Sequence, residues 1–321
     1  MGRRSETAIA AATRGILVPM DLRSALLLLL ALTTALFIGG WIVLVRRRSA
    51  HDTSGPLAFP TLFQLALGCI TNFFDTLGIG SFAPTASVFK FRKIVPDQQI
   101  PGTLNVGHTL PSITEALIFI AVVEVDPVTL SAMIAAAVAG AWLGAGVVAR
   151  WPRRTVQIGM GLALLVAASL FLMTNLNLFP AGGNSFDLQG NRLIVGVAGN
   201  FMLGAFMTLG IGLFGPCMIL VALLGMNPKA AFPIMMGSCA FLMPVASLRF
   251  VRAGGYRLQP ALGLTIGGIP GVLVAAYIVK SLDVVYVRWL VVVVVLYAAI
   301  TMLRSAYTEA LQKRALETAK A

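Results

Sequence analysis

Apolar runs of about 20 residues recur along the whole chain, separated by short polar or basic breaks, and runs of that length are the pattern of membrane-spanning helices. The first, SALLLLLALTTALFIGGWIVLV at 24–45, is too long for the core of a cleavable signal peptide and ends in RRR. It reads as a retained signal-anchor helix. The start MGRR carries Glu6 where a myristoylation site would have Ser or Thr. After a polar linker, apolar segments are expected at 57–77, 104–125, 128–149 and 155–174. The loop NLNLFPAGGNSFDLQGNR (175–192) then divides the chain, and segments at 193–210, 230–248, 260–280 and 285–304 follow. The expected organisation is an N-terminal basic segment, anchor and linker (1–56), a first transmembrane unit (57–174), the central extramembrane loop (175–192), a second unit (193–304) and a charged tail (305–321).

The two units repeat one phrase. TLGIGSFAP at 76–84 returns as TLGIGLFGP at 208–216, with seven of nine positions identical at an offset of 132. Held without a gap, that offset also sets Pro96 against Pro228 and Pro101 against Pro233. VAGAWLGAGVVARW (138–151) resembles GIPGVLVAAYIVKSL (268–282), with Gly140 opposite Gly271, and such small residues suit close helix packing. The expected fold is an all-α integral membrane protein: the anchor helix plus two pseudo-symmetric four-helix units, each with a broken first helix. Duplicated units with interrupted helices are a transporter pattern.

Composition supports the membrane and removes other classes. Of 321 residues, 58% are hydrophobic and 11% charged, and the mean hydropathy is +0.89, too apolar for a soluble surface. The net charge of +12 does not point to nucleic acid, because the Lys and Arg residues stand in clusters between apolar runs: RRR at 46–48, KFRK at 90–93, RWPRR at 150–154 and RFVRAGGYR at 249–257. Such clusters fix orientation. The acidic turn EVDP and the central loop are expected outside, with KFRK and RWPRR inside. Nine alternating crossings from an inside N-terminus, however, put 13 basic residues in and 11 out, and helices that fold back would change the parity. Cys69, Cys217 and Cys239 have no metal-ligand spacing and read as packing residues. No metal or cofactor is implied.

In each phrase Gly78 and Gly80, or Gly210 and Gly212, allow backbone angles that end a helix, and Pro84 or Pro216 suits the first turn of a new one. Unwound backbone at membrane depth is tolerated where it is buried or lines a cavity. New helix starts near Thr85 and Ala86, and near Cys217 and Met218, would offer N–H groups and the positive dipole end to an anion. Close packing alone is the other use of these glycines. The candidate site is Thr76, Gly78, Gly80, Ser81, Thr85, Thr208, Gly210, Gly212 and Cys217, with Asn105 and His108 alongside.

On these residues, and on IPGTLNVGHTLP (100–111) with its partner FPIMMGSCAFLMP (232–244), the chain resembles the TauE/SafE sulfite-exporter family of membrane permeases over most of 57–305. The resemblance implies transport of small sulfur-containing anions such as sulfite, thiosulfate or sulfonates across a bacterial cytoplasmic (inner) membrane. The family's usual glycine-rich run is longer than the GIGS and GIGL present here.

Charges inside spans cost about 2.5–3.5 kcal/mol each by insertion scales. Gln64, Gly68, Asn72 and Asp75 share one helical face, and Asn105, His108, Ser112 and Glu115 another, giving a polar seam beside the first break. At the 132 offset Asn72, Asp75, His108 and Glu115 become Gly204, Met207, Ala240 and Ser247, so the chemistry is one-sided. Asp75, His108 and Glu115 are the proton-coupling candidates. His108 titrates near neutrality when unperturbed, and a hydrogen-bonded structural histidine is the other reading. The carboxyls are expected to pair with His108, or with Lys90 and Arg92; Asn72 and Asn200 are caps or packing hydrogen-bonders. Arg249 and Arg252 could draw anions to the mouth.

A secondary transporter fits these features. An ion channel or a membrane scaffold is the alternative, and no repeated ring of charge marks a pore. A Ser81–His108 hydrolase dyad can be drawn, but GIGSFAP lacks the nucleophile-elbow glycine and the repeat puts Leu213 at the Ser81 position. The chain is not expected to be an enzyme. Its partners are a small anion and the lipid bilayer.

Overall fold

The structure, a computed structural model, describes residues 21–49, 59–148, 150–178, 182–208 and 212–277, with scattered positions between 292 and 311. The described residues form helices α1 (Leu22–Ser49), α2 (Leu62–Thr76), α3 (Phe82–Arg92), α4 (Ile100–Val122), α5 (Pro127–Val148), α6 (Arg153–Asn175), α7 (Gly190–Met207), α8 (Phe214–Leu223), α9 (Ala231–Ala253) and α10 (Leu258–Tyr277), with 3-10 turns at Asp97–Gln99 and Pro228–Ala230. Among them no strand occurs, and one isolated bridge joins Ser185 to Met226. The segment expected at 285–304 falls largely outside the described residues.

Four of these helices, α1 over Leu22–Arg47, α5, α9 and α10, are long and apolar enough to cross a membrane. Helix α4 is as long as α9, but it carries Asn105, His108, Ser112 and Glu115, all buried. Its polar residues face protein, which is where intramembrane polar groups are tolerated.

Local chemistry sets the helix ends. A capping box starts α2: the Gln64 N–H donates to Thr61 Oγ1 (3.3 Å) and the Thr61 N–H to Gln64 Oε1 (2.9 Å). Gln64, read as part of the polar seam, is this cap. The helix stops after Thr76, where Gly78 and Gly80 take φ of +86° and +90°, angles that favour glycine. The order helix, break, short helix, 3-10 turn, long proline-containing helix, helix runs from α2 to α5 and again from α7 to α10.

The short helices turn back. The Arg92 guanidinium at the end of α3 lies over the Phe63 ring at the start of α2 (4.7 Å to the centroid). At α8, Leu220 packs on Gly199 and Leu224 on Gly196, so this helix also retraces its predecessor. The helices flanking each phrase therefore form a hairpin, and simple alternating crossings do not account for the described residues. The glycines permit the reversal; which way the short helix then runs is decided by tertiary packing.

Contacts also fix the directions of the long helices. Helices α4 and α9 run antiparallel, with Thr109 Oγ1 3.0 Å from Ser247 Oγ and Phe119 stacked on Phe232 (5.3 Å). Helix α2 runs parallel to α10, and α7 parallel to α5, in two glycine seams. A Cβ on Gly271 would collide with the Cys69 carbonyl, and one on Gly140 with the Phe201 carbonyl. Phe201 stands 132 residues after Cys69. The seams are thus matched contacts, and each exists because glycine lets backbones touch.

Helix α1 is clamped at both ends. Arg23 Nε donates to Ile120 O (2.7 Å) and its Nη2 to Ala121 O, at the end of α4. Trp41 Nε1 donates to Tyr256 OH (3.2 Å), beyond the end of α9. The ends of α1, α3, α5 and α9 therefore lie at one end of the molecule, together with the start of α4. The starts of α1, α5, α7 and α9 lie at the other. There the central loop is pinned: Gly183 N–H donates to Met226 O (2.9 Å), Asn227 N–H to Ser185 O (2.7 Å) and Asp126 N–H to Phe186 O (2.9 Å). In this loop, hydrogen bonds from Ser185 and then Gln189 hold the Asp187 carboxyl below its ordinary range.

Candidate functional site

Both hairpin tips border one small cavity, lined by Asp75, Gly80, Ser81, Phe82, Ser112, Met207, Gly212, Phe214 and Cys239. Three pairs in this lining are related by the 132 offset: Asp75 with Met207, Gly80 with Gly212, and Phe82 with Phe214. The tips also approach each other directly, since a Cβ built on Gly212 would sit 4.0 Å from the Phe82 Cβ.

A helix start leaves its first N–H groups without intrahelical partners. Here those groups are on Phe82 and Ala83, and on Phe214 and Gly215, because Pro84 and Pro216 have no N–H. The donors expected at Thr85 and Cys217 are already engaged, with Ser81 O (3.1 Å) and Leu213 O (2.9 Å) respectively. Each helix begins two residues before its proline, which shifts the available donors toward the tip.

One tip already holds a carboxyl group of its own. Asp75 Oδ1 accepts the Ser81 N–H (2.8 Å) and its Oδ2 accepts the Ser81 hydroxyl (2.7 Å). The charge-assisted pair closes the loop 76–80 and places a carboxylate at the positive end of α3. Thr76 Oγ1 lies 2.9 Å from both Asn72 O and Glu115 Oε1, linking the tip to α4. Asp75 is 3% exposed and Glu115 is fully buried, and Glu115 Oε2 has no hydrogen-bond partner.

His108 does not pair with either carboxyl. Its Nδ1 lies 3.0 Å from Asn72 Oδ1 on α2 and its Nε2 3.2 Å from Thr85 Oγ1 on α3. Because Asn72 Nδ2 donates to Gly68 O (2.7 Å), its oxygen faces the ring, and a neutral imidazole donates from Nδ1 and accepts at Nε2. His108 thus ties the two arms of the first hairpin together. Ser81 and His108 share no hydrogen bond, so the imagined dyad does not form.

Other expected residues lie elsewhere. Asn105 donates to Pro101 O (2.9 Å), away from the tips, with its buried oxygen unpartnered. Thr208 turns its hydroxyl to Ala205 O (2.7 Å) and meets Gly144 of α5. Gly78 packs near Phe232, and Cys217 is buried without bordering the cavity. Gly210 lies outside the described residues. Asn200 is a packing hydrogen-bonder, donating to Met133 O and Ser238 Oγ, both at 2.8 Å. Lys90 pairs with Asp97 (2.8 Å), Arg92 with the Phe63 ring, and Arg249 lies over the Trp142 ring (4.1 Å). None of these cations reaches Asp75 or Glu115.

Cys239 and Met207 were absent from the sequence-based site, although both border the cavity, with their sulfurs 3.7 Å apart. Met207 was legible as the partner of Asp75 under the offset. Cys239 had no comparable signal. Among the described residues no group of three His, Cys, Asp or Glu could hold a metal ion.

Residues 193–320 match the model of the family described as Sulfite exporter TauE/SafE. No curated protein and no solved structure matches the chain.

Proposed function

We propose that the chain is a secondary transporter that carries a small sulfur-containing oxyanion, of the sulfite, thiosulfate or sulfonate class, across a bacterial cytoplasmic membrane. The carrying observation is that two hairpin tips with nearly the same sequence border one small cavity through equivalent positions. Four backbone N–H groups head the helices there, and the family domain over 193–320 names the anion class.

The two halves are inverted repeats. Helices α2, α4 and α10 run one way and their counterparts α7, α9 and α5 the other, which requires a pseudo-two-fold axis in the membrane plane. One hairpin then enters from each side, and the substrate meets backbone donors at mid-membrane whichever side is open. The end that gathers RRR, KFRK, RWPRR and RFVRAGGYR faces the cytoplasm under the positive-inside rule. This places the start of α1, the acidic turn and the central loop outside.

The test is uptake by the purified chain in lipid vesicles, with sulfite, thiosulfate, a small sulfonate and a simple carboxylate compared. Saturable uptake of a sulfur oxyanion above protein-free vesicles is expected. Uptake of none of them would reject the reading, and equal unsaturable flux of all four would favour a channel.

A further inference from the structure

From the exclusive contacts of Asp75 we infer that this carboxylate is a tethered competitor of the transported anion, and that a proton taken up by the Asp75–Glu115 pair releases the α3 tip, so that anion and proton cross together. The inference rests on the transport reading and adds its coupling ion.

The first support is geometric. The groups that would bind an anion at this tip, the Ser81 N–H and hydroxyl, are both occupied by Asp75. A second anion beside an ionised Asp75 would meet like charge in an apolar cavity, where such repulsion is weakly screened. An anion therefore enters more readily once Asp75 is neutralised. Protonated Asp75 no longer needs two donors, and Ser81 can turn them to the substrate alongside the N–H groups of Phe82 and Ala83. Adding one proton and one monovalent anion leaves the net charge of the site unchanged.

The second support is Glu115. It is fully buried, has one hydrogen-bond partner, the Thr76 hydroxyl, whose single proton also has the Asn72 carbonyl within reach, and leaves Oε2 without a partner. A charged carboxylate in that state would bear a desolvation cost of several kcal/mol with little repayment, so this group holds a proton at rest. The Glu115 and Asp75 carboxyls are near enough to interact electrostatically, and Thr76 links Glu115 to the tip.

The surrounding titratable groups do not supply another carrier. From α4, Glu115 and His108 face this region, and His108 is satisfied as a neutral ring by Asn72 and Thr85. From α8 and α9 come Cys217 and Cys239, both buried. On α3 the cations Lys90 and Arg92 sit at the far end, on Asp97 and Phe63. On α7 the counterpart of Asp75 is Met207, and on α9 that of Glu115 is Ser247. Among the described residues the proton site therefore belongs to the first unit, on α2 and α4.

Two measurements test this on the full chain with a radiolabelled small sulfonate, a monoanion that does not itself titrate near neutral pH. In vesicles, an acid-outside gradient should accelerate uptake, by up to about tenfold per pH unit while Asp75 is mostly ionised, and the lumen should acidify with it. Asp75→Asn should remove both the gradient response and the proton flux. Calorimetry of anion binding to the wild-type protein, in buffers of different ionisation enthalpy, avoids reliance on a variant and should show about one proton taken up per anion. Binding with no proton uptake, or an Asp75→Asn protein that still responds to the gradient, overturns the coupling and leaves the transport reading standing. Neither binding nor uptake of the sulfonate, of sulfite or of thiosulfate by the wild-type protein overturns both.

Discussion

The guanidinium of Arg92 lies over the ring of Phe63, 4.7 Å from its centroid, and so joins the last residue of α3 to the beginning of α2. The contact means that the chain enters the protein, turns at TLGIGS and leaves by the same end. Residues 61 and 93 should then face the same side of the membrane. In a background without native cysteines, Thr61→Cys and Lys93→Cys should both react with an impermeant thiol reagent from the cytoplasmic side, and Glu124→Cys and Lys229→Cys from the other. Reaction of positions 61 and 93 from opposite sides would mean that α2 and α3 cross the bilayer together.

Ser81→Ala separates transport from hydrolysis. The hydroxyl donates to the Asp75 carboxylate at rest and to the substrate when loaded, so its loss of about 1.5–3 kcal/mol for a charged hydrogen bond falls on both states and largely cancels. Uptake should change by a few-fold at most. Loss of all turnover, with the protein still folded, would make Ser81 a nucleophile and not a ligand.

His108→Ala should weaken the protein without flattening its pH response. The variant opens a hole and strands Asn72 and Thr85, for a destabilisation on the order of 2–5 kcal/mol, read as a lower melting temperature in detergent. The acceleration of uptake between about pH 8 and 5, the range in which an ordinary histidine titrates, should persist, because the proton sits on carboxyls that His108 does not touch. A flat profile in this variant would move the proton to His108.

Much of this was legible in the chain. The glycine phrase announces the break, the offset of 132 announces a duplication, and the spacing of Asn72 and Asp75 against His108 and Glu115 announces the seam between α2 and α4. What the sequence could not give was direction. A helix stop followed by a helix start looks the same whether the second helix continues or returns, and the Phe63–Arg92 and Gly196–Leu224 contacts that decide it join residues whose proximity has no local signature. The engagement of Asp75 by Ser81 was hidden for a related reason. It depends on the αR conformation of Ser81 and the positive φ of Gly78 and Gly80, which together carry residue 81 back onto residue 75. Thr85 and Cys217 lose the backbone-donor role expected of them, because the prolines are not the first helical residues. Phe82 and Phe214 begin the helices instead.

The central claim is that the two tips jointly enclose the transported anion, and initial uptake of radiolabelled thiosulfate and sulfite by vesicles carrying wild-type, Gly80→Val or Gly212→Val protein tests it most directly. Gly80 has φ of +90° and nothing within 4 Å of a built Cβ, so valine there both strains the turn, by roughly 1–3 kcal/mol, and fills the cavity. Gly212 lies outside that φ range and faces Phe82, so valine acts there through volume alone. Wild-type vesicles should accumulate at least one of the two anions, and both variants should insert normally yet lose uptake. Undiminished uptake in both variants would contradict the account and leave the glycines to packing.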